Sequence, residues 1–68
     1  MTDSYAAFIR DVAQSVHANM RELTDRKGFA DSEELDHIEG KLIAYQEVLA
    51  MLRASAAEHN LPLRELGL

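Results

Sequence analysis

DSEELDHIEGKLIAYQEVLAMLRASAAEH, residues 31–59, is the stretch whose reading decides the fold. Leu35, Ile38, Leu42, Tyr45, Leu49, Leu52 and Ala56 recur at alternating steps of three and four, which keeps one stripe on one side of a helix. At 100° per residue the seven fall within an arc of roughly 100°. A strand fits poorly, because Leu42-Ile43-Ala44-Tyr45 and Val48-Leu49-Ala50-Met51-Leu52 would bury both of its faces. Asp31 is placed to cap, with Glu34 as the returning partner, and Glu33, Glu34 and Asp36 bring negative charge to the positive end of the helix dipole. Asn60 and the Leu61-Pro62 pair close the run, since a residue before proline avoids helical angles. One long helix over 31–59 is the expectation.

Upstream, Tyr5, Phe8, Ile9, Val12, Val16, Met20 and Leu23, widened by Ala6 and Ala13, predict a second helix over 3–27. Its apolar arc is roughly 160° wide at 100° per residue. Thr2, Asp3 or Ser4 can serve as its N-cap, and Arg26 and Lys27 suit the negative end of its dipole. Gly28 is expected to adopt the left-handed stop conformation, with Phe29 folding back on Leu23. So short a connection makes the two helices antiparallel neighbours. A hairpin folded near residue 29 sets Val16 by Leu42, Val12 by Tyr45, Ile9 by Leu49 and Tyr5 by Leu52 or Arg53. Downstream, proline and the apolar residues Leu61, Leu63, Leu66 and Leu68 predict a helical turn over 62–66, packed on its own chain or on a neighbour.

The 68 residues make one domain, 1–68, with a hydrophobic share of 47%, too apolar for a disordered chain. A single core this small seldom stabilises a fold without a staple. With no cysteine, disulfides and thiolate metal sites are excluded, and oligomerisation is the staple left. No apolar run approaches the ~20 residues of a membrane span, and MTDSYAAFIRDV lacks the basic-then-apolar order of a secretory signal. The expected location is the cytoplasm. A net charge of −5 argues against a phosphate backbone as partner.

The fold class expected is all-α: an antiparallel two-helix hairpin with a short C-terminal turn, assembled as a homodimeric four-helix bundle. This resembles in architecture the small plasmid copy-number RNA-binding hairpin dimers, a resemblance carried by helical spacing and by no functional motif. The interface is expected on the second helix, where Ile43, Ala50, Ala54 and Ala57 widen the stripe on one side and Val48 on the other. Small residues there would let another helix approach closely.

Charge divides unevenly. The first helix is balanced, whereas the second carries Asp36, Glu39, Glu47 and Glu58 along its polar edge, a solvated face or a docking face for a basic host or cognate protein. Glu34 and His37 have the Glu-x-x-His spacing that ferritin-like di-iron proteins use, and the hairpin register would bring Glu22 near His37. Capping accounts for Glu34, and His37 points to the acidic edge, so no metal or other cofactor is expected. His17 and His59 have no Ser or Cys arrangement around them, and Gly28, Gly40 and Gly67 are scattered rather than gathered in a phosphate loop. The function expected is a non-enzymatic protein–protein interaction or regulatory module that self-associates through its helices. A nucleic-acid-associated regulator using Arg10, Arg21, Arg26 and Lys27, and a ferritin-like metal-binding hairpin, are the alternatives. Asn19, inside the apolar arc between Phe8 and Val12, is either an edge residue or a buried polar group fixing register.

Overall fold

A computed structural model describes residues 3–68. The chain is all-helical: α1 (Asp3–Arg26), a single 3₁₀ turn (Lys27–Phe29) and α2 (Ser32–Glu58), with no strand among the described residues. Thr2, one of the three expected caps of α1, lies outside the described residues, as does the side chain of Asp3.

α2 begins as its sequence dictates. The Asp31 carboxylate accepts from the Glu34 backbone N–H at 2.8 Å, and the Asp31 carbonyl accepts the first helical bond from Leu35. Its end is a Schellman motif: Asn60 takes the left-handed conformation (φ 56°), its N–H donates to the Ala57 carbonyl, and the Leu61 N–H donates to the Ala56 carbonyl at 2.8 Å. Asparagine tolerates that conformation because its short side chain can bond locally.

The exit from α1 differs from the expectation. Gly28 is not left-handed; the chain tightens into the 3₁₀ turn and then extends through Ala30 (φ −83°, ψ 142°) into the Asp31 cap. The tighter bonding pattern satisfies the last carbonyls without a left-handed residue. Phe29 therefore does not fold back on Leu23; it stands 92% exposed at the hairpin tip.

The C-terminal segment packs on its own chain. Pro62 to Leu68 form one tight turn closed by a second Schellman motif, with Gly67 left-handed (φ 76°), Gly67 N–H donating to Arg64 and Leu68 N–H to Leu63. Its position is set by Leu66, 3% exposed, and by Ala13, fully buried. A Cβ built on Gly67 would stand 3.4 Å from that of Ala13, so the backbone of the turn lies almost on α1. Arg10 Nη1 donates to the Glu65 carbonyl at 3.1 Å and Arg53 Nε to the Leu68 carbonyl at 2.9 Å, one strap from each helix.

This turn explains a second departure. The buried core is Ala13, Ile38, Leu49, Ala56 and Leu66, with Ile9, Val16, Met20, Leu42, Tyr45 and Leu52 half-buried beside it. Tyr5 and Val12, expected against α2, are 66% and 41% exposed. α1 is oriented so that small Ala13 is buried against the turn, and the wide arc of α1 is shared between α2 and the turn. Its larger residues on the far flank are turned outward.

Two stability outcomes follow. Leu66→Ala should cost about 2–3 kcal/mol, because the turn loses its one deeply buried side chain. Gly40→Ala should gain roughly 0.5–1 kcal/mol, since an added Cβ at this exposed helical site meets nothing within 4 Å. Urea denaturation at one fixed protein concentration reads both, as oligomerisation would otherwise shift the midpoint.

Candidate interaction surface

The hairpin has two unlike faces. One carries the C-terminal turn. On the other, α1 presents Tyr5, Phe8 and Val12, and α2 presents Val48 and Met51; these five are 66%, 63%, 41%, 41% and 64% exposed. On α1 the three residues and Asn19 share an arc of roughly 60° at 100° per residue, displaced from the arc that holds Ala13 and Met20.

The same face is hollowed toward the hairpin tip. An open groove of about 490 Å³ runs between the helices there, lined by Asn19, Leu23 and Arg26 of α1 and by Lys41, Tyr45 and Val48 of α2. Its floor is fixed by a cross-helix hydrogen bond, Asn19 Nδ2 donating to the Tyr45 hydroxyl at 3.1 Å. Asn19 is thus the exposed edge residue and not a buried one, though its side chain makes a polar contact between the two helices. At the mouth, Arg26 pairs with Glu34 at 2.5 Å. With side chains 64% and 40% exposed, that pair contributes no more than about 1 kcal/mol.

The residues expected to form an oligomer interface lie, as the sequence divides them, on the two flanks of the α2 stripe. Val48 borders the groove, whereas Ile43 stands roughly 140° away round the helix at 100° per residue. Ile43, 56% exposed, lies on the outer edge of α2 with Ala50, Ala54 and Ala57, all exposed. The acids Asp36, Glu39, Glu47 and Glu58 occupy this edge too, and all four are exposed. The outer edge is therefore a strip of carboxylates around a few apolar side chains.

The Glu-x-x-His residues both lie in the first turns of α2. Glu34 is held by Arg26, His37 is exposed, and Glu22 opens onto the groove. Among the described residues no three His, Cys, Asp or Glu side chains stand close enough to hold a metal ion. Among the described residues, too, no helix is long and apolar enough to cross a membrane.

Sequence reasoning missed Tyr5, Phe8, Val12 and Met51 as surface residues. The signal was present in the roughly 160° arc of α1, wider than one helix–helix contact covers at 100° per residue. Comparison of the chain with family models, with curated proteins and with solved structures gives no match.

Glu34→Ala with His37→Ala should lower stability by no more than about 1 kcal/mol, through the Arg26 pair and the first turn of α2. Thermal unfolding with and without added iron or zinc checks this; a metal-dependent rise in Tm lost in the double variant would assign these residues to a metal site.

Proposed function

We propose that this chain is a small non-enzymatic protein–protein interaction module whose working form is a homodimer of hairpins. The observation that carries the reading is a shortage of cover. Domains of this kind bury their apolar stripes between two packed layers, whereas this chain has one: its extents are 46 × 19 × 13 Å. The radius of gyration, 14.3 Å, compares with about 11 Å for a compact domain of this length. Accessible surface is 5180 Å², against roughly 4,300 Å² for a compact monomer of this mass.

The excess of about 900 Å² matches the roughly 800 Å² that each partner contributes to an interface of ordinary size. Its chemistry suits that use, because Tyr5, Phe8 and Met51 are the most exposed side chains of the face and such residues are enriched at interface cores. A second copy would supply the missing layer and so the staple that a chain without cysteine needs. The acidic outer edge of α2, with Ile43 among Asp36, Glu39 and Glu47, would stay outside such a dimer. It suits a basic, partly apolar segment of a cognate protein.

Sedimentation equilibrium at micromolar concentration should return twice the 7.6 kDa chain mass. A single species at the chain mass, with helicity intact, would contradict the reading.

A further inference from the structure

Resting on that self-association, we infer that two copies dock face to face and antiparallel, each placing Phe8 in the groove of the other, so that the Phe8–Val48 face and not the Ile43 edge holds the dimer. The face has a protrusion at one end and a hollow at the other. Tyr5 and Phe8 stand out near the open end of the hairpin, and the groove of about 490 Å³ lies near its tip. A two-fold axis lying in the face, across the helices, carries each protrusion onto the other copy's hollow. Such an interface is isologous, so every favourable contact is made twice.

The spacing along the helices supports this axis. On α1, reversal about the Ser15–Val16 step sets Tyr5 opposite Arg26, Phe8 opposite Leu23 and Val12 opposite Asn19 of the second copy. At the crossing stand only a serine and a half-buried valine, which let the helices approach. On α2, reversal about Gln46 sets Ala44 opposite Val48 and Lys41 opposite Met51, with small Ala44 beside the crossing. The two centres lie within about one helical turn of each other along the hairpin, because Arg26 pairs with Glu34 and Asn19 with Tyr45. Charged Glu22, Arg26 and Lys41, at the rim, meet uncharged positions in every case.

The parallel alternative fails on shape and on charge. It lays the aromatic protrusions of α1 over α2 of the other copy, away from either groove, and leaves two grooves facing, with nothing to fill them. It also brings together the two acidic tips, where Glu33, Glu34, Asp36 and Glu39 are concentrated in a chain of net charge −5. Antiparallel docking sets those clusters at opposite ends, well beyond the screening length of ~8–10 Å.

A spin label on Lys27→Cys tests the orientation without touching the face, since Lys27 is exposed at the tip and the chain has no other cysteine. Antiparallel docking places the two labels roughly 35 Å apart, from 1.5 Å per residue on either side of the axis. Parallel docking places them within about 20 Å, two helix spacings at most. Sedimentation then identifies the face. Phe8→Asp should raise the dimer Kd by about a hundredfold or more, as a charge replaces an aromatic in a desolvated pocket, and Ile43→Asp should leave it unchanged. A dimer with the short distance, or one that Ile43→Asp dissociates and Phe8→Asp does not, overturns this arrangement while self-association stands. A fully helical monomer overturns self-association itself. Should Phe8→Asp lose its helices, the Lys27 distance still decides.

Discussion

α2 has more apolar surface than one neighbouring helix can cover, and the rest of the structure answers to that excess. Leu35, Ile38, Leu42 and Leu49 line one side of it, Val48 and Met51 the next, and Ile43, Ala50 and Ala54 the outer edge. A helix apolar around most of its circumference belongs in the interior of something larger than a hairpin. The chain supplies two covers. α1 takes the main stripe, and the C-terminal turn buries Leu66 and brings Gly67 onto Ala13. The third cover, over Val48 and Met51, is the one the proposed second copy provides.

Small residues and left-handed residues allocate these covers. Ala13 and Ala56 are buried because their size lets the turn reach both helices, and larger side chains there would hold it off. Two successive reversals bring the chain back. Asn60 turns it out of α2, and Gly67 closes the turn where its backbone nearly touches α1. Straps from Arg10 and Arg53 to backbone carbonyls then hold a segment of only seven residues, Pro62 to Leu68, whose own hydrogen bonds are too few to order it alone.

Charge and apolar surface are separated on the proposed dimer. The acids of α2 lie on the outer edge, and the exposed aromatics lie on the opposite side of the hairpin beside α1. An acidic exterior keeps such dimers from associating further, while the uncharged core of the face lets two copies meet. The groove rim mixes both kinds of group, and there Arg26 is tied to Glu34.

Most of the secondary structure was legible in residue spacing. Both long helices, the Asp31 cap and the stop at Asn60-Leu61-Pro62 follow from local rules, because they depend on neighbours within four positions of one another. The expected ends, 27 for α1 and 31 and 59 for α2, moved by one residue each, to Arg26, Ser32 and Glu58, as cap residues fell outside the helices. Gly28 misled because glycine permits a left-handed stop without requiring one, and the 3₁₀ turn served as well. What the tertiary structure alone decided is how the arc of α1 is divided. Periodicity shows that Tyr5, Phe8, Val12 and Ala13 lie on one broad side. It cannot say that the turn at Gly67, more than fifty positions away, will cover Ala13 while the other three stay exposed. That choice is made by fit between distant segments, and the face it exposes is invisible until they are packed.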